Sequence, residues 1–349
     1  MQVLQNARKR SNMTLSRRTL VIIGATLVGL MLILFIVSQT ILLDSYARLE
    51  AKDTSKNVER ALSALSDDIS GLNSVVGDWA PWDDTYAFVQ DLNSSYILNN
   101  LNNDTFANLR VNVMLFVNSS GQIVFEKAVD LQNKQEIPVP ESLSENISTS
   151  SLLTHPINID SKVSGLILLT EGPILIASQP ILTSQNGGPI MGALIMGRFL
   201  DSAEIGGLAD TTRLSLAIQR LDNPQLAPDF KLASSSLSDK SPIFVRALDR
   251  HSIAGYTLLN DIYRNPVIIL KVDLPREIYQ QGRVSQLYFM ASILAVGLVF
   301  GLVMTFLLRK SVLSPLSQLS ANVSNIGRTK ALSARVSAKG TGELSSLAE

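Results

Sequence analysis

Thr19 to Leu43 (TLVIIGATLVGLMLILFIVSQTILL) and Val284 to Leu308 (VSQLYFMASILAVGLVFGLVMTFLL) contain no charged residue. As a helix each measures about 37 Å, enough to cross a hydrocarbon core of about 30 Å with its backbone groups satisfied internally. Two membrane helices account for the composition of the 349-residue chain, which is only 17% charged. Arg8, Lys9, Arg10, Arg17 and Arg18 precede the first stretch, as in a secretory signal. Its apolar run is too long for one, however, and no small-x-small cleavage site follows Leu43, so a retained anchor is expected.

Charge sets the expected orientation. The tail before Thr19 is basic, and Arg309, Lys310, Arg328, Lys330, Arg335 and Lys339 outweigh Glu343 and Glu349 after Leu308. Both ends are then expected in the cytoplasm. The stretch between the anchors holds 19 basic and 28 acidic residues, so the formal net charge of zero hides an acidic outer segment. That acidity argues against nucleic acid as a partner. The absence of cysteine excludes disulfides, thiolate metal sites and thiol nucleophiles.

Past the first anchor, Val58, Leu62, Leu65, Ile69, Leu72 and Val76 recur in alternating steps of four and three, which predicts a continuing amphipathic helix. Its seam needs a partner surface, either the same helix of a second subunit or the domain's own sheet. Beyond Tyr86 the texture reads as strands. Val111 to Val117 (VNVMLFV), the Asn118 to Gly121 turn and Gln122 to Val129 (QIVFEKAV) predict an antiparallel hairpin. Gly165 to Thr170, Ile174 to Leu182, the Asn186 to Pro189 turn and Ile190 to Leu200 extend it into one antiparallel sheet with a covered face.

A linker-like stretch, Asn223 to Ser241, separates a smaller membrane-proximal β module, Ser252 to Asn260 and Val267 to Val272. The second membrane helix contains Gly297-x-x-x-Gly301, a spacing that admits close helix contact, including that of a dimer. Leu316, Leu319, Val323 and Ile326 then stand at a/d spacing in a short coiled-coil helix. Gly327 ends it, and Gly342-Glu343-Leu344 opens a second helical pattern.

The densest chemistry is Gly77-Asp-Trp-Ala-Pro-Trp-Asp-Asp-Thr-Tyr86. Trp79, Trp82 and Tyr86 offer an aromatic wall, and Asp83 and Asp84 carboxylates to grip a cationic or hydroxylated ligand. The same three aromatics, spaced by three and four, equally suit one buried helical face, and Asp78 or Asp83 a helix cap. Arg110 and Arg198 are isolated cations in apolar strands. Each suits an ion pair with those aspartates or an anionic ligand group. His155 and His251 lie in polar, loop-like settings away from any carboxylate or serine pattern. No phosphate loop, zinc spacing or calcium loop occurs, so no catalytic site, metal or cofactor is expected.

The run Asp78 to Phe88, with Asn100-Leu101, Phe106 to Leu109, the VNVMLFV strand and Met196-Gly-Arg-Phe-Leu-Asp201, resembles the fourth class of CHASE extracytoplasmic sensor domains over about Val58 to Asp201. The resemblance implies a PAS-like or Cache-like antiparallel sheet beside a long helix, serving signal perception. The segment from Arg309 is similar to a HAMP linker, with Pro315 soon after the membrane and Gly342-Glu343 before a second helix, but it ends early. Proteins of this arrangement usually continue into a diguanylate cyclase or phosphodiesterase, a histidine kinase or, less often, a chemotaxis transducer. No such motif occurs in this chain.

The expectation is an α+β, membrane-anchored receptor of bacterial type. It has a cytoplasmic tail (1–18), a first membrane helix (19–43), a CHASE-like sensor (44–205), a membrane-proximal β module (206–283), a second membrane helix (284–308) and a truncated HAMP linker (309–349). Its expected partners are the membrane, an unidentified small molecule and a second copy of the chain. The rivals are the front part of a signalling enzyme and an outer module that docks a protein without a small ligand.

Overall fold

The structure is a computed structural model and describes residues 15–315, 317–318 and 320–321. The a/d positions Leu316, Leu319, Val323 and Ile326 and the Gly342-Glu343 pattern lie outside the described residues. Two compact units are present, one of residues 49–276 and one of the flanking segments.

Helix α1 (Leu15–Val37) passes through a π-helical turn, Ser38–Leu42, into α2 (Leu43–Trp79), so the helix runs unbroken over Val21–Trp79. Three short helices follow, α3 (Asp83–Asp91), α4 (Ser94–Asn100) and α5 (Asn103–Leu109). This corrects the expectation that strands begin after Tyr86. Asparagine side chains build two of these helices: Asn93 Oδ1 accepts from the Tyr96 amide at 2.8 Å, and Asn102 Oδ1 from the Thr105 amide at 3.0 Å. N-terminal amides have no partner inside a helix, so a capping oxygen makes a seven-residue helix viable.

Then come β1 (Val113–Asn118), β2 (Ile123–Asp130), β3 (Gln135–Ile137), α6 (Glu141–Thr149), α7 (Ser151–Thr154), β4 (Val163–Leu168), β5 (Pro173–Pro180) and β6 (Gly192–Phe199). The six strands form one antiparallel sheet in the order β3-β2-β1-β6-β5-β4. Chain neighbours form hairpins, while β1 meets β6 in the middle, with Met114 opposite Met196 and Phe116 opposite Leu194.

The sheet is covered on both faces, which explains why VNVMLFV reads as a continuous apolar run and not as an alternation. Met114 and Phe116 point into a core with Leu65, Leu72, Val76, Phe88, Tyr96 and Phe106 of the helices. Val113, Leu115 and Val117 point the other way, to Leu143, Ile147 and Leu153 of α6 and α7. The α2 seam therefore belongs to its own domain. Val58, Leu65, Leu72 and Val76 are buried in that core, with Leu62 and Ile69 packed at its edge.

Helix α8 (Ser202–Thr212) starts on Asp201, whose Oδ1 accepts from the Ala203 and Glu204 amides, and leads to β7 (Ser215–Arg220). α9 (Pro228–Ser236), β8 (Ile243–Ala247), β9 (Ser252–Asn260) and β10 (Pro266–Pro275) complete a second antiparallel sheet, in the order β7-β10-β9-β8. The stretch 223–241 is thus no linker. It contains α9, whose Phe230, Ala233 and Leu237 pack on Ala254, Tyr256 and Ile269. The opposite face of this sheet receives the early part of α2: a Cβ on Gly255 would stand 2.5 Å from Val58 Cγ2.

The other unit pairs α1 with α10 (Glu277–Leu308), and both helices are long and apolar enough to cross a membrane. A Cβ on Gly297 would fall 1.7 Å from Met31 Cε, and one on Gly301 3.8 Å from Leu27. The Gly297-x-x-x-Gly301 pair is used within the chain, where it lets α1 and α10 approach closely.

Candidate functional site

α2 ends at Trp79, and Trp82, extended at φ −127° and ψ 132°, caps α3. The three aromatics therefore do not share one helical face, because the Pro81 turn divides them. Trp79 and Trp82 meet edge to face with ring centroids 5.9 Å apart, and Trp82 lies 6.0 Å from Tyr96. Tyr96 stacks on Phe88 at 4.4 Å. Trp79, Trp82 and Tyr86 are half-buried against the main core, and the Tyr86 hydroxyl donates to Pro189 O at 3.4 Å. These rings form the outer wall of the helix layer.

The two aspartates take different roles. The Asp83 amide donates to Ser184 Oγ at 3.0 Å, and the Ser184 amide donates to Asp83 Oδ1 at 2.9 Å. Asp83 thereby clips the start of α3 to the loop between β5 and β6. Asp84 instead borders a hollow of about 150 Å³ lined by Ala87, Asn93, Ser95, Tyr96, Asn99 and Asn100. Its lining holds one carboxylate, three side-chain amides, hydroxyls and no basic residue.

The Tyr96 hydroxyl lies 2.7 Å from Thr85 Oγ1. Burial pushes the phenol up to about 12, the Thr85 hydrogen bond opposes this, and the charge of Asp84 adds to it. Tyr96 thus remains a neutral hydroxyl across the physiological range. A neutral hydroxyl, amide carbonyls and a carboxylate suit an ammonium group or a set of ligand hydroxyls, and offer no cation to a carboxylate or phosphate.

Arg110 and Arg198 lie elsewhere. Arg198 Nη1 is paired with Asp68 Oδ1, and Arg110 Nη2 donates to both Glu204 oxygens at 2.8 and 3.0 Å. Among the described residues neither arginine forms an ion pair with Asp83 or Asp84. Sequence reasoning missed Tyr96 and the asparagines of α4. Besides the Asn100-Leu101 pair, their trace in the sequence is the density of asparagine between Asn93 and Asn103.

Residues 64–219 match the family model of the CHASE4 domain. The chain is 30% identical over 342 residues to the methanogenesis regulatory histidine kinase FilI of Methanothrix harundinacea (strain 6Ac), covering 97% of this chain and 37% of that protein. The chain therefore spans little more than a third of that relative's length. Among solved structures, the periplasmic domain of Vibrio cholerae LuxQ aligns with a TM-score of 0.41 at 11% identity, covering 64% of this chain and 99% of that one. The sensor domain of the Vibrio cholerae histidine kinase DctB aligns with a TM-score of 0.38 at 11% identity, covering 65% and 98%. Residues 64–219, similar to a CHASE4 sensor domain, lie between the two uncharged runs of the helices long and apolar enough to cross a membrane.

Proposed function

We propose that this chain is the input part of a transmembrane signalling protein, with residues 44–283 outside the cell and both ends in the cytoplasm. A small cationic or polyhydroxylated ligand occupies the hollow bordered by Asp84 and Tyr96. Binding there biases the relation between α1 and α10. A HAMP-type linker carries the bias to a cytoplasmic output, for which a histidine kinase, as in the FilI relative, is the first choice. A homodimer is the working assembly.

The observation that carries this reading is the composition of the hollow: a carboxylate, three amides and hydroxyls with no cation, set in the helix layer of a sensor domain. The ligand must bind two states unequally, since one with equal affinity for both transmits nothing.

Thermal unfolding of the whole chain in lipid nanodiscs, against a panel of amines and polyols, tests the proposal. A ligand at a hundred times its dissociation constant stabilises the native state by about 2.7 kcal/mol. A compound that raises the melting temperature of the wild type, and not of the folded Asp84→Asn and Tyr96→Phe variants, supports the site. A shift that survives in both variants removes the ligand from this hollow.

A further inference from the structure

A buried charged cluster outside the hollow joins four elements. Asp68 comes from α2, Arg198 from β6, Glu204 from the first turn of α8, and Arg110 caps α5 in a left-handed conformation. The Arg198 side chain is 6% exposed, and its Nε donates to Arg110 O at 2.6 Å. Its Nη1 meets Asp68 Oδ1 and also lies 3.7 Å from Glu204 Oε1, so two carboxyls converge on one guanidinium nitrogen.

The Asp68 and Glu204 side chains are only 14% and 13% exposed, whereas that of Arg110 is 59% exposed. Water screens much of the Arg110 charge, which leaves one buried guanidinium against two buried carboxyls. Asp201, three residues before Glu204, commits Oδ1 to two backbone amides. Asp68 Oδ2 is buried and has no hydrogen-bond partner. Such an atom calls for explanation, because buried polar atoms are nearly always paired.

We propose that the Glu204 carboxyl holds a proton beside Asp68, which makes the junction of α2, β6 and α8 a proton-binding site. A proton on the Glu204 carboxyl, donated to Asp68 Oδ2, supplies the missing partner and removes one of two opposed negative charges. Burial first, and then the neighbouring Asp68 carboxyl, holds Glu204 above the ordinary carboxylate range, against the opposing pull of Arg110 and Arg198. The step is a plain proton exchange with solvent. When the proton leaves, two carboxylates face each other across one guanidinium. α8, which carries Glu204, is also the connection from β6 to β7, so proton occupancy bears on the joint between the two sheets. The inference does not rest on the ligand reading.

Infrared difference spectra of the whole chain in nanodiscs, titrated from about pH 5 to about pH 8, test it directly, because exposed carboxyls have already lost their protons there. The expected result is a protonated-carboxyl C=O band that persists into this range and is missing in Glu204→Gln, a near-isosteric change that keeps the fold. In Asp68→Asn, which removes the like charge, the band disappears at a pH lower by about one unit or more. Absence of the band from the wild type overturns the proposal. So does a band that persists in Glu204→Gln, or one whose midpoint does not move in Asp68→Asn.

Discussion

Asp83 and Ser184, 101 residues apart, hold each other by two reciprocal hydrogen bonds, each from one residue's backbone amide to the other's side chain. The clip ties the first turn of α3 to the β5–β6 loop beside the aromatic wall. Asp83→Ala leaves the Ser184 amide without its acceptor and removes one of the two carboxylates in the first turn of α3, a loss of about 1–2 kcal/mol. Thermal melting of this variant and of Ser184→Ala should show comparable losses, and the double variant should lose less than their sum. Strict additivity would rule out the coupling.

Gly192 opens β6 at φ +129°, where a Cβ would lie 1.8 Å from Val117 O, a backbone atom that cannot step aside. Gly192→Ala should cost about 3 kcal/mol or more, because it combines strain with a clash in the central strand pair. Gly206, inside α8, offers the contrast, since a Cβ added there would meet nothing within 4 Å. Gly206→Ala should stabilise by about 0.5–1 kcal/mol through helix propensity. Parallel denaturant titrations compare the two, and equal effects would contradict the backbone reading.

Beside the smaller sheet, Asp229 accepts from Lys271 Nζ at 3.0 Å and from the Tyr256 hydroxyl at 2.9 Å. Burial alone would raise this carboxyl, but the two donors outweigh it and hold it below the ordinary range. A carboxyl depressed in the folded state contributes stability above its unfolded value of about 4 and loses it as pH falls through the folded value. Melting temperature should therefore fall on acidification below about pH 4. Asp229→Asn should lower it at neutral pH and flatten that acid limb. An acid limb of unchanged steepness would exclude Asp229 as its source.

In the membrane-type pair, the atom nearest a Cβ on Gly297 is the end of a flexible methionine. Gly297→Ala should be absorbed by a rotation of Met31, while Gly297→Leu should force α1 and α10 apart. The chain contains no cysteine, so disulfide formation between Leu27→Cys and Gly301→Cys reads the approach cleanly. The yield should fall severalfold with Gly297→Leu and hardly change with Gly297→Ala.

The large features were legible because they are periodic. Two uncharged runs, one heptad-like seam and several apolar strands marked out the helices and most of the central sheet. The three helices after Trp82 were not visible, since segments of seven to nine residues show no full amphipathic repeat, and the two capped by Asn93 and Asn102 carry asparagine-rich, turn-like text. α9 was read as linker because Pro228 at its first turn and its serines resemble a loop. β7 and β8 are short and half-buried, which left only a faint alternation.

At the candidate site the Trp and Asp run was prominent, but Tyr96 was not, because a single tyrosine among asparagines carries no pattern. The partners of Arg198 could not be read at all. Asp68 lies 130 residues away, and only the packing of α2 across β6 brings them together.

Burial of the α2 seam in its own domain settles what that helix can show to a neighbour. Its outward side displays Ser63, Ser66, Asp67, Ser70 and Ser74, all exposed. A second copy meeting this side would find hydroxyls and carboxylates that bond to water as readily as to each other. Such a seam has little grip and no preferred depth. Two helices facing each other this way can turn or slip without first breaking an oily contact, a property suited to passing motion along their length.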